Sequence, residues 1–123
     1  MDELIEQNEE YLSASISKVF SNFFNSYSKH YNFYNKRIGT LFKRAFRRKK
    51  IEDIDYLRKL ICYIHQNPVE AGFSEQPGDW KYLSYQAIIR NQKTLIPKEE
   101  VIGLFGDLDT FVFCNKNSVN LKD

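Results

Sequence analysis

The hydrophobic positions of this chain fall into blocks with different spacings. Over residues 3–34, Leu12, Ile16, Val19, Phe20, Phe23, Phe24, Tyr27 and Tyr31 recur at three- and four-residue steps, the period of an amphipathic helix. Ser13, Ser15 or Ser17 can cap a helix start inside this span, so one long helix or two short ones fit. Residues 35–40 break the pattern, with Gly39 as the punctuation. Over 41–51, apolar residues alternate loosely with basic ones, which predicts one strand or an extended arm. Residues 53–67 give the clearest helix, with Ile54, Leu57, Leu60, Ile61 and Ile64 in one stripe. Leu57, Ile61 and Ile64 are expected to be buried against the aromatic first helix around Phe20 and Phe23. Pro68 is expected to stop this helix, because the residue before a proline avoids the helical region. Residues 80–91 predict a third helix, and 98–105 a last short one opened by Pro97 and closed by Gly106. The polar residues 115–123 read as a frayed tail.

A chain of 123 residues fits one small domain, 1–123. The net charge of +2 hides an uneven distribution. The first ten residues hold Asp2, Glu3, Glu6, Glu9 and Glu10 and no base. Lys36, Arg37, Lys43, Arg44, Arg47, Arg48, Lys49 and Lys50 follow within fifteen residues that contain no acid. Such asymmetry points to a polyanionic partner, DNA or RNA, with Phe42 and Phe46 as stacking or anchoring rings. A solvated basic face whose aromatics belong to the core is the alternative. Cys62 and Cys114 provide no disulfide framework, and no apolar run reaches the roughly 20 residues of a membrane span. The acidic N-terminus has no signal-peptide character. A soluble, cytoplasmic protein without a membrane partner is expected.

The second predicted helix carries the candidate chemistry. Tyr63 and Asn67 lie four residues apart and so share a helical face. A tyrosine at the edge of an apolar stripe packs there with its hydroxyl outward, or it serves as a phenolic nucleophile toward a phosphodiester. Asn67 caps the helix before Pro68, or offers an amide oxygen to a hard ion such as Mg²⁺. His65 points about 160° away from Asn67 at 100° per residue. No H-x-H pair is present, and the ligand count excludes zinc.

Three stretches, in order, resemble a known family. Gly39-Thr40-Leu41-Phe42-Lys43-Arg44-Ala45-Phe46-Arg47 is similar to a G-x-L-F-x-x-x-F-K/R segment. Asp55-Tyr56-Leu57, then Tyr63-Ile64-His65-Gln66-Asn67-Pro68-Val69-Glu70-Ala71-Gly72-Phe73, is similar to a YLL…YIHxNPVxAGxV block. Asp79-Trp80-Lys81-Tyr82-Leu83-Ser84-Tyr85 is similar to DWxxSSY. Together they resemble the C-terminal part of single-tyrosine HUH transposases of the REP-associated branch. The resemblance implies an α+β fold of ferredoxin or RRM type. Here that fold would be a mainly helical remnant, N-terminally truncated, with at most a short strand or hairpin at 41–51. It implies DNA transposition: cleavage and joining of single-stranded or hairpin DNA through a phosphotyrosine, with Mg²⁺ or Mn²⁺ as cofactor and a homodimer as the assembly. Tyr63 matches the family nucleophile and Asn67 its third metal ligand. The HUH histidines that supply the other two ligands have no match. The expectation is a DNA-binding protein that does not cleave alone and binds no metal itself, or a non-catalytic nucleic-acid-binding remnant that associates with a full-length relative.

Overall fold

A computed structural model describes residues 2–117. Contacts within the chain divide it into two compact units, Met1–Lys49 and Lys50–Asp123. The described residues form five α-helices: α1 Asp2–Tyr34, α2 Ile54–Glu70, α3 Tyr85–Ile89, α4 Lys98–Phe105 and α5 Leu108–Lys116. A 3-10 turn, Pro77–Asp79, precedes α3. The described residues contain no strand, which corrects the α+β expectation and the strand or hairpin at 41–51.

In the first unit the long apolar pattern forms one helix, and the internal serines cap nothing. Ser17 Oγ instead donates to Ser13 O at 3.0 Å, and Ser28 Oγ to Phe24 O at 2.8 Å, within the running helix. The chain then doubles back along α1 as an irregular strap. Phe42 packs on Phe24 with ring centroids 5.0 Å apart, and Phe46 on Phe20 at 5.6 Å and Phe24 at 5.5 Å. Arg48 reaches Ser13 and Ser17. The lengths agree: six extended residues span about 20 Å, and the helix from Phe24 and Tyr27 back to Ser13 and Ser17 about 16 Å. A strand cannot form here for a physical reason. The backbone groups of α1 are used inside the helix, so the strap has no ladder to join and is held by side chains.

In the second unit Asp53 caps α2 by accepting from the Tyr56 N–H at 2.9 Å. Pro68 does not stop this helix, which continues to Glu70. The proline lies close enough to the end that only one helical bond is lost. Its carbonyl takes the Phe73 N–H at 2.8 Å while Gly72, at φ +76°, bonds back to Val69 O at 3.0 Å. This Schellman closure recurs. Arg37 bonds to Asn32 O around Lys36 at φ +51°, and Gln92 to Ala87 O around Asn91 at φ +50°. The third predicted helix shortens to α3, since 80–84 is a turn fixed by Leu83 N–H on Trp80 O at 3.1 Å. The expected bounds of α4 hold, with Gly106 at φ +94° closing it. The tail set at 115–123 begins inside α5: Asn115 and Lys116 are helical and Asn115 is fully buried. Residues 118–123 lie outside the described residues.

Cys62, Tyr85, Ile88, Phe105 and Phe111 form the core of the second unit. The predicted stripe of α2 is not its buried face. Ile54 and Ile64 are exposed, Leu57, Leu60 and Ile61 half-buried, while Cys62, His65, Gln66 and Pro68 are buried. At 100° per residue the buried face is turned by about 100° from the stripe. Burial of α2 comes from its own unit, chiefly α5, the 3-10 turn and α4. No helix of the described residues is long and apolar enough to cross a membrane.

Candidate nucleic-acid interface

The strap and α1 enclose a groove of about 720 Å³. One wall is a polar ladder on α1, Ser17, Ser21, Asn25 and Ser28, at helical steps of four, four and three. The other wall is the strap, which contributes Gly39, Thr40, Leu41, Phe42, Arg44, Ala45, Phe46 and Arg48, while Lys43 and Arg47 do not line it. Sequence reading missed the ladder, because uncharged Ser and Asn at helical spacing are hidden beneath the stronger aromatic periodicity of the same helix.

The eight candidate cations do not form one equivalent set. Arg48 is a clamp, its Nε donating to Ser17 Oγ at 2.8 Å and its Nη2 to Ser13 O at 2.6 Å. Arg37 lies 6.0 Å from the Tyr31 ring centroid and donates to Asn32 Oδ1 at 3.4 Å. Lys36 occupies the left-handed closing position of α1. Lys50 belongs to the second unit, 3.2 Å from Glu52, and Lys49 is also engaged. Lys43, Arg44 and Arg47 are exposed and carry no ion pair or hydrogen bond among the described residues. Every acid of the first unit lies in its first ten residues. These three side chains are therefore open positive charges among the described residues.

Tyr63 and Asn67 lie on α2 in the second unit, half-buried and exposed respectively. The Asn67 carbonyl accepts from the Ala71 N–H at 2.9 Å, so the helix end uses its backbone and not its amide as a cap. No three His, Cys, Asp or Glu side chains converge to hold a metal among the described residues. One neutral amide oxygen cannot hold Mg²⁺ or Mn²⁺. The residues present do not fit that ion.

His65, next to these positions, has a different role. Its Nδ1 lies 2.6 Å from Asn115 Oδ1 and its Nε2 2.8 Å from Ser84 Oγ. Asn115 Nδ2 donates to Phe111 O at 2.7 Å, so Oδ1 faces the ring. His65 therefore donates from Nδ1 and accepts the Ser84 hydroxyl at Nε2. Gln66 Nε2 donates to Asn115 O. The Tyr85 and Phe111 rings meet the imidazole edge-on, with centroids 5.6 and 6.0 Å away. The layout has the order of a serine, its base and an orienting amide. Its electrostatics oppose that use. Burial holds the His65 pKa below its ordinary 6.5, outweighing the bond that His65 donates to Asn115. The network pins α2, α5 and the start of α3 together. Elsewhere in this core, burial with Cys114 nearby pushes the Cys62 thiol up to about 11.

No protein-family model, curated protein or solved structure matches the chain.

Proposed function

We propose that this chain is a transposase-type DNA-binding protein that holds single-stranded or hairpin DNA and does not cut it alone. The observation that carries the reading is the strap: Lys43, Arg44 and Arg47 exposed and unpaired beside a groove with a hydroxyl- and amide-lined wall. Phosphates would meet the cations and the ladder. Phe42 and Phe46 serve as anchors on α1 more than as stacking platforms, since both rings are committed to Phe20 and Phe24. The transposase character rests on the three motif stretches and the basic segment. In that reading Tyr63 would be the nucleophile of an intact enzyme. A phenol becomes a competent nucleophile only when a base or a held cation activates it.

Fluorescence anisotropy with a labelled single strand and a hairpin tests the binding. Affinity should fall steeply with salt, and replacing Lys43, Arg44 and Arg47 with Ala should reduce the log–log salt slope by about 2, at roughly 0.7 per phosphate contact on a single strand. Binding that ignores salt, or a triple variant that binds like the parent, would overturn it. A denaturing gel after incubation with Mg²⁺ or Mn²⁺ tests the second clause. The expected result is no covalent adduct. An adduct abolished by Tyr63→Phe would make the chain a nuclease in its own right.

A further inference from the structure

The polar wall of the groove holds groups in two states. Ser17 Oγ is occupied by Arg48 and the Ser13 carbonyl, and Ser28 Oγ by the Phe24 carbonyl. Between them, Ser21 and Asn25 are exposed and have no hydrogen-bond partner among the described residues. Arg44 lines the strap side and is exposed and unpaired as well. The rings of Phe24, Phe42 and Phe46 supply apolar surface between these groups. No acidic side chain lines the groove among the described residues.

The open groups differ in what they can bind. A guanidinium only donates, so Arg44 suits a phosphate, whose oxygens only accept. The Asn25 amide donates from Nδ2 and accepts at Oδ1. A phosphate would satisfy Nδ2 and leave Oδ1 facing an anion. A nucleobase edge that sets a donor beside an acceptor satisfies both. Adenine offers that pair on each of its free edges, N6–H beside N7 and N6–H beside N1. The strap decides the state of the base. A helix with its side chains is about 10–12 Å across, and a major groove about 12 Å wide admits one. This face of α1 carries the strap through Phe42, Phe46 and Arg48, so helix and strap together exceed that width. A base reaches Asn25 only when it is unpaired.

We infer that Asn25 reads an unpaired adenine in a single strand whose phosphates lie on Arg44. The inference rests on the DNA-binding reading above and adds a sequence preference that phosphate contacts do not give. The adenine N6–H donates to Oδ1, and Nδ2 donates to N7 or N1. Ser21, one turn earlier and about 6 Å along the axis, gives its hydroxyl to the neighbouring phosphate.

Fluorescence anisotropy on the full chain tests this with two labelled strands of equal length, one alternating dC and dA, the other alternating dC and dT. Neither strand pairs with itself, and both carry the same charge. The chain should bind the adenine strand at least about fivefold more tightly, the lower end for one bidentate contact. Asn25→Ala should remove the preference and leave the salt slope unchanged. Helix content by circular dichroism should hold, since Ala is the better helix former. Replacing each adenine by purine, which lacks the amino group, should weaken binding to the parent by a similar factor and leave the variant indifferent. Once the adenine strand is annealed to its complement, parent and variant should bind it alike. Equal binding of both strands with a steep salt dependence would overturn the adenine assignment and leave the DNA-binding reading standing. Binding to neither strand would end both. A preference that survives Asn25→Ala would remove Asn25 from the reading, and a loss in the variant as large on the duplex as on the single strand would refute the unpaired state.

Discussion

The two units solve opposite problems with similar material. In Met1–Lys49 no described residue is buried, although α1 carries aromatic and branched side chains at nearly every helical step. Phe23, Phe33 and Tyr34 are among its largely exposed rings. The second unit encloses Phe111 and Asn115 completely and closes over a hydrogen-bonded histidine. The difference lies in connectivity. The second unit has five short elements joined by tight turns, so small apolar faces meet from several directions. The first has one helix and one strap, and two elements cannot surround anything. Its apolar surface is available for contact while the second unit's is spent on stability.

The sharpest way to break this comparison is to truncate one ring in each unit. Phe111→Ala removes a fully buried ring stacked on Tyr85 and edge-on to Phe105, and should cost about 3–5 kcal/mol of unfolding free energy. Phe23→Ala on exposed surface should stay within about 0.5 kcal/mol when measured at a concentration where the chain is monomeric. Equal effects in urea titrations would mean that the two units share one core. A smaller loss should follow Asn115→Ala, which strips His65 Nδ1 of its partner; about 1–3 kcal/mol is expected for a buried donor left unsatisfied.

Acid should act on the second unit through the same network. The folded chain holds His65 neutral below its ordinary 6.5, so between that value and the lower folded one the unfolded chain binds the extra proton. Stability from this source is fully present above about 6.5 and declines as pH falls toward the folded value. Melting temperatures from pH 7.5 downward should show the decline, and His65→Gln should lessen it while lowering the melt throughout. The smallest effect belongs to the first unit. Arg48→Ala frees one end of the strap but touches only exposed groups, so stability should move by less than about 1 kcal/mol. The same variant should loosen the groove, readable as weaker binding of a single strand.

Much of this architecture was legible in the chain. The period of α1, the presence of a helix from about residue 53, the bounds of α4 and the role of Gly106 follow from spacing and from single residue types. Three features were not. The buried face of α2 includes His65 and Gln66, which no hydrophobic pattern assigns to a core. They qualify because Asn115 and Ser84 satisfy them, and that pairing spans sequence separations of 50 and 19 residues. Missing Asn115 also hid α5, whose start at Asp107 carries an ordinary capping signal in the Thr110 N–H bond of 2.7 Å. Pro68 predicts a stop through the restraint on the residue before a proline, whereas Gly72 at φ +76° sets the actual end. Of the candidate site, the positive segment was plain from composition. Its division into Arg48 as clamp and Lys43, Arg44 and Arg47 as free cations depends on where the strap lies, which local sequence does not encode.

The strap's mode of attachment has a consequence for how the molecule behaves under a protease. Among the described residues no backbone–backbone hydrogen bond involves 41–48. Its amides face water even while Phe42, Phe46 and Arg48 hold it in place, so hydrogen exchange there should be fast and an ordered segment would pass for an unfolded one. The same stretch offers trypsin a dense run of exposed lysines and arginines. Limited digestion should cut first between Lys43 and Lys50, and bound DNA should slow the cut by covering the basic side chains that the protease must reach.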